Sequence, residues 1–83
     1  MRSRRDQEAQ RLKEIQDACA AEAKEYEALA ERATDPIVRA GAEDMAAMKK
    51  RQAGQTHTEA MTDPENTLTP MMRAARQALK DGA

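Results

Sequence analysis

The fold is decided by residues 12–36, which read LKEIQDACAAEAKEYEALAERATDP. Up to Ala33 the stretch lacks glycine and proline and is dominated by good helix formers. Its larger apolar residues recur every three or four positions, which is typical of one face of a helix. This first stripe consists of Leu12, Ile15, Cys19, Tyr26, Leu29 and Ala33. The closing Thr34-Asp35-Pro36 then predicts a capped second helix that begins with proline.

The chain as a whole predicts one helical domain over residues 1–83. We expect helices over residues 6–33, 36–53 and 70–80, a basic flexible arm at 1–5 and a loop at 54–69. The turn between the first two helices is so short that they should pack as antiparallel neighbours. In the second helix, Gly41 lies on the apolar face, where it would let a neighbouring backbone come close. That second stripe consists of Val38, Gly41, Met45, Met48 and Gln52.

The composition predicts an all-α fold with a small core. Alanine supplies 18 of the 83 residues, whereas Leu, Ile, Val and Phe together supply 7. The core of a chain this short contributes about 3–5 kcal/mol, which is little for so long a hairpin. We therefore expect the long hairpin and its short C-terminal helix to complete a helical bundle by homodimerisation or on another protein.

Several classes of protein are disfavoured by what the sequence lacks. It contains no apolar run of the roughly 18 residues that a membrane span needs, and no apolar region follows the basic N-terminus as in a secretory signal. A single cysteine cannot form an internal disulfide, which favours the reducing cytoplasm. With one histidine, one cysteine and no glycine-rich phosphate loop, we expect no enzyme activity, metal or cofactor.

The near-zero net charge of −1 conceals blocks of charge. Residues 1–13 carry +3, residues 14–44 carry −6 and residues 45–80 carry +3. An antiparallel hairpin should place the basic ends of the first two helices side by side and the acidic residues around the Thr34 turn. The basic residues expected to meet at one tip, as candidate contacts for a partner, are Arg2, Arg4, Arg5, Lys49, Lys50 and Arg51.

Glu22 and the methionines are further candidates for partner contacts. Glu22 falls on the first stripe, and burying an unpaired carboxylate is costly. It should therefore reach the edge of the stripe, pair with a cation on another helix, or contact a ligand. The methionines either fill the core or form an adaptable groove for a partner. The set consists of Met45, Met48, Met61, Met71 and Met72, and those singled out as partner contacts are Met45, Met48, Met71 and Met72.

The stretch from Cys19 to Gln52 resembles the two-helix unit of small ferritin-like proteins. The shared pattern is Tyr26, then Leu29-Ala30-Glu31, then Asp35-Pro36, then Val38-Arg39. The resemblance implies two helices that pair into a four-helix bundle by dimerisation. Both ligand sets of that family are replaced, because Cys19 or Ala20 stands for its glutamate and Lys49-x-x-Gln52 for its Glu-x-x-His. The resemblance thus argues against diiron chemistry.

These observations predict a small non-catalytic interaction protein, acting as an adaptor, a chaperone-like subunit or an inhibitor. It would bind through helix packing and charged tips, with itself or another protein as partner. The alternative is a regulator that associates with nucleic acid or mimics it, of the kind that a phage could encode. Against that alternative stand the acidic pI of about 5.8 and the single aromatic residue, Tyr26.

Overall fold

The computed structural model describes residues 3–82, and all regular structure in that range is helical, which confirms the all-α prediction. Two of the helices are long and two are short. They are α1 (Arg4–Arg32), α2 (Pro36–Gln52), α3 (His57–Thr62) and α4 (Pro70–Lys80), with a 3-10 turn at Pro64–Asn66 between the last two. Arg2, one of the candidate contact residues, lies outside the described range.

The helix ends follow from short polar side chains that accept hydrogen bonds from otherwise unpaired backbone N–H groups. The backbone N–H of Asp6 donates to Ser3 Oγ over 3.2 Å at the start of α1. Ile37 N–H donates to Asp35 Oδ1 over 2.8 Å at the start of α2, and Thr69 caps α4 in the same way. Gly82, with φ of 74°, follows the end of α4 in the left-handed conformation that favours glycine.

Two of the predicted segments differ from the structure. Residues 1 and 2 of the predicted flexible arm lie outside the described range, whereas residues 4 and 5 already belong to α1, which Ser3 caps. The predicted loop at 54–69 contains α3 and the 3-10 turn. Thr56 and Glu59 form a reciprocal capping box at the start of α3, and this arrangement stabilises a helix too short to persist by propensity alone.

Helices α1 and α2 pack against each other as antiparallel neighbours, and their contacts keep a constant step. A contact three residues closer to the N-terminus in α1 is made with a residue three positions closer to the C-terminus of α2. The contacting pairs are Glu22 with Lys49, Cys19 with Gln52, and Gln16 with Gln55. The same step places Tyr26 near Met45 and Ala33 near Val38, so the two predicted stripes face each other.

Helix α4 packs mainly on α2, where Gly41 makes the close approach possible. A Cβ atom at position 41 would stand 2.0 Å from the carbonyl oxygen of Met71 and 3.2 Å from Cβ of Ala75. Glycine is therefore required for this helix crossing, as the sequence predicted. The core between the three helices consists of Tyr26, Leu29, Ala33, Ala42, Met45, Ala46, Met48, Met72 and Ala75.

Helix α1 is much longer than the helices that cover it. Its 29 residues span about 43 Å, whereas the 17 residues of α2 span about 26 Å. Buried residues in α1 begin at Ala23. We therefore distinguish a covered segment of α1 (residues 23–32), which holds its buried residues, from a projecting segment (residues 4–22), of which the last turn still contacts the end of α2. The projecting segment accounts for the molecule's longest dimension of 50 Å.

Candidate functional site

The projecting segment and α3 enclose an apolar groove beyond the end of α2. Leu12, Ile15 and Cys19 line one wall, and Ala60 and Met61 line the other. We call this the α1–α3 groove. It has a volume of about 230 Å³ and ends against the polar side chains of Gln52, Gln55, Thr56 and His57. An apolar groove between helices with a polar end is the kind of surface that accepts the apolar face of another helix.

The residues of the groove are unusually exposed for their type. Ile15 is 55% exposed and Met61 is 73% exposed. Within residues 3–82 they are two of the four large hydrophobic residues that the structure leaves on the surface, the others being Ile37 and Met71. Scattered exposed hydrophobics are ordinary, whereas two that line one groove make it a candidate contact surface.

The groove exists because the chain leaves the path of α2. Continuing the step of the α1–α2 pairing would place residues 56 and 59 against Ile15 and Leu12. The chain instead turns at Gly54, and Thr56 caps a new helix. Gln16 Nε2 donates to the carbonyl oxygen of Gln55 over 2.9 Å, which holds this turn against α1. The stripe of α1 thus continues past the point where its covering helix stops.

The wall formed by α3 is held in place by Arg51 at the end of α2. Its guanidinium donates to Asn66 Oδ1 over 3.0 Å and to the carbonyl oxygen of Glu65 over 2.9 Å, and it lies 3.3 Å from a carboxylate oxygen of Asp63. Asn66 Nδ2 in turn donates to the carbonyl oxygen of Ala60 in α3 over 3.0 Å. This network fixes α3 although none of its residues is buried.

Two carboxylates in this region are stabilised in their charged form. The side-chain amide of Gln55 donates to Asp63 over 2.7 Å and, with the Glu65 backbone N–H and the nearby Arg51, lowers the pKa of that carboxyl below its ordinary 3.8. Hydrogen bonds from the backbone and then the hydroxyl of Thr56 lower the pKa of Glu59 below its ordinary 4.5. Both groups therefore favour the folded α3 while they are ionised.

Glu22, whose place on the stripe left three possibilities open, pairs with a cation on a neighbouring helix. Its carboxylate lies 2.8 Å from Lys49 Nζ, and its side chain stays 46% exposed. Next to it, Cys19 Sγ lies 4.0 Å from Gln52 Oε1. Glu22 and Cys19 thus each contact a polar side chain of α2.

The predicted basic tip is wrong in its geometry. Lys49 lies opposite Glu22, so Arg4 is 18 residues and about 27 Å further along α1, well away from Lys49, Lys50 and Arg51. The three cations at the end of α2 are also paired, because Lys50 lies 2.6 Å from Glu27 and Arg51 contacts Asp63 and Glu65. Arg4 and Arg5 are exposed on the projecting segment, where Arg4 lies 3.9 Å from Glu8.

The methionines divide between core and surface. Met45, Met48 and Met72 are buried at 2%, 4% and 5% exposure, so within this fold they cannot serve as contacts for a partner. Met71 is 40% exposed at the start of α4. Met61, which the sequence reasoning placed in a loop, lines the groove. The capping pattern Thr56-x-x-Glu59 was the signal that would have indicated a helix there.

Two reactive side chains, Cys19 and His57, border the α1–α3 groove. His57 is exposed at the first position of α3, and Cys19 is a half-buried free thiol. Burial raises the pKa of the Tyr26 phenol above its ordinary 10.0, so this residue stays neutral in the core. Among residues 3–82, no three His, Cys, Asp or Glu side chains lie close enough to hold a metal ion.

Comparison with protein-family models, with characterised proteins and with solved structures finds no match to this chain. The resemblance to ferritin-like proteins therefore stays a prediction. None of the helices in the described range combines the length and apolar character that crossing a membrane requires.

Proposed function

We propose that the protein is a small, non-catalytic interaction module that binds a protein helix in the α1–α3 groove. The observation that carries the proposal is the exposure of Ile15 and Met61 on facing walls of one groove. Both walls are fixed, because α1 is a continuous helix and α3 is held by the Arg51 network. A preformed groove loses little conformational entropy when it binds.

The role fits an adaptor, a chaperone-like subunit or an inhibitor that regulates its partner by contact alone. Binding takes place in the reducing cytoplasm, where Cys19 remains a free thiol. The partner is a protein that offers the apolar face of a helix, and this can be another protein or a second copy of the chain. Of the residues predicted to contact partners, Arg4, Arg5 and Glu22 lie on the projecting segment and can flank the bound helix.

Regulation of nucleic acid is the weaker alternative. Phosphate binding by a basic tip requires cations that are free to exchange their counterions. Lys49, Lys50 and Arg51 each already contact a carboxylate of the chain, and Arg4 and Arg5 lie well away from them along α1. We therefore rank protein binding first.

The test compares two isoleucines of equal exposure. Ile15 in the groove is 55% exposed and Ile37 at the start of α2 is 56% exposed. Tagged native chain, Ile15→Asp and Ile37→Asp are used to capture binding proteins from the native cell, with identification by mass spectrometry. The proposal expects Ile15→Asp to lose the captured protein while Ile37→Asp retains it. Equal capture by all three chains would contradict it.

A further inference from the structure

The α1–α3 groove carries three side chains that are good ligands for a soft metal ion. Cys19 lies on α1, whereas His57 and Met61 lie on α3, and all three line the same groove. We propose that the sulfur atoms of Cys19 and Met61 and an imidazole nitrogen of His57 bind one Cu(I) ion between α1 and α3. This activity is independent of whether the groove also binds a protein helix.

Helix α3 presents two of the three donors on one face. His57 is its first residue and Met61 its fifth. Residues four apart on a helix are neighbours, with Cβ atoms about 5–6 Å from each other. The unbranched side chain of methionine has three rotatable bonds, so the thioether of Met61 can approach an ion that the imidazole of His57 binds.

Cys19 supplies the third donor from the facing wall. Its Sγ lies 4.0 Å from Gln52 Oε1, at the end of the groove that His57 also lines. The thiolate, not the thiol, is the metal ligand. A sulfur–copper bond therefore forms as the S–H bond breaks, the thiol proton passes to solvent, and copper stays in the Cu(I) state.

The three donors are available because the fold makes little use of them. Within residues 3–82 the exposed imidazole of His57 has no hydrogen-bond or ion-pair partner. Met61 is 73% exposed, so its thioether is not packed in the core. Binding of the ion breaks only the contact of Cys19 with Gln52, and a thiol is a weak hydrogen-bond donor.

The chemistry of the donors favours Cu(I) over other metal ions. Thiolate and thioether are soft ligands that select Cu(I), and imidazole also suits copper. Structural zinc sites take four ligands from cysteine, histidine and carboxylate side chains. Only two of the three donors in this groove, Cys19 and His57, are of those kinds. A set of two sulfur atoms and one nitrogen is therefore better suited to copper.

Competition with a chromophoric Cu(I) chelator, under anaerobic reducing conditions, measures the affinity of the site. The native chain should bind one Cu(I) ion per chain. Cys19→Ser and His57→Ala should each weaken binding at least about 100-fold and Met61→Leu about tenfold, since even groups that only orient metal ligands are worth about 10–100-fold in affinity. The control is Met71→Leu, which removes a 40% exposed thioether outside the groove and should bind as the native chain does.

The variants distinguish a site of three ligands from a single reactive thiol. If Cys19→Ser loses Cu(I) while His57→Ala and Met61→Leu bind as tightly as the native chain, the thiol binds the ion alone and the proposal fails. A native chain that does not compete for Cu(I) also overturns it. Circular dichroism should show that every variant stays helical, because His57 and Met61 are exposed.

X-ray absorption of the copper-loaded native chain tests the ligand set without any substitution. The proposal expects two sulfur neighbours and one nitrogen neighbour around copper, and loss of the nitrogen neighbour in His57→Ala. A copper ion with sulfur neighbours alone in the native chain would contradict the role of His57. Stoichiometric retention of Zn²⁺ in place of Cu(I), when both are offered, would contradict the soft donor set.

Discussion

The two segments of α1 share one apolar stripe and have different surroundings. In the covered segment Leu29 is 1% exposed beneath α2 and α4, whereas in the projecting segment Ile15 is 55% exposed. The spacing of apolar residues is the same in both. The difference shows that the spacing of apolar residues determines which face of the helix can pack. The position at which the neighbouring helix ends determines how much of that face is buried within the chain.

The largest expected effect is the truncation of a buried side chain in the covered segment. Leu29→Ala should lower the free energy of unfolding by about 3 kcal/mol, because it removes a fully enclosed side chain and leaves a cavity. Ile15→Ala in the projecting segment should change it by less than about 1 kcal/mol when both variants are monomeric. Urea unfolding of the two variants measures both values, and equal losses would contradict the division of α1.

The contact that brings α4 over the covered segment depends on Gly41. Gly41→Ala should destabilise the fold by about 2 kcal/mol, because the new Cβ collides with the backbone of Met71. In a free helix the same change is stabilising. The matched control is Gly54→Ala, where a Cβ meets the nearest atom at an ordinary 3.7 Å. Thermal unfolding in which the two variants are equally stable would show that α4 does not pack closely on α2.

Removing an ion pair of α1 should change the free energy of unfolding less than these core substitutions do. Glu22→Gln should cost about 1 kcal/mol, because Lys49 is 21% exposed and loses its partner at the junction of the segments. Glu8→Gln should cost less than about 0.5 kcal/mol, because the Arg4–Glu8 pair is almost fully exposed. Chemical denaturation at low ionic strength measures both changes. A larger loss for Glu8→Gln than for Glu22→Gln would contradict this ranking of the two pairs.

The smallest expected effect concerns the α3 wall and its dependence on pH. The pKa of Asp63 is lower in the folded chain than its ordinary 3.8. Its contribution to stability is therefore fully present above about pH 4 and is lost as the pH falls through the folded pKa. Thermal unfolding should show native chain and Asp63→Asn converging as the solution is acidified below about pH 4. A difference that grows on acidification would contradict the assigned role of Asp63.

The helices could largely be predicted from their caps. Asp35-Pro36 and Thr69-Pro70 predicted the starts of α2 and α4 at the residues where they begin. The close approach at Gly41 was predicted from its place on the second stripe. In these cases the information is local, since a capping side chain or an absent Cβ acts within a few ångströms of its own backbone.

The site was harder to predict, because it depends on the offset between helices. Spacing placed Glu22 on the first stripe but could not identify Lys49 as its partner. The expected meeting of Arg4 with Lys49 was wrong although the predicted bounds, 6–33 and 36–53, already made the first helix much longer than the second, as it is in the structure. Met61 was assigned to a loop because the capping box at Thr56 was not taken as the start of a helix. The ferritin-like resemblance carried no information on these contacts.

Hydrogen exchange along α1 tests most directly that the projecting segment is the surface a partner covers. In monomeric Ile15→Asp, amides of residues 8–18 should exchange at least about 100-fold faster than those of residues 24–31, because tertiary packing protects the latter alone. In the native chain bound to the protein that it captures, the amides of residues 8–18 should become protected. Equal protection of both ranges in the variant, or a bound native chain whose residues 8–18 exchange as fast as in the free chain, would contradict the account.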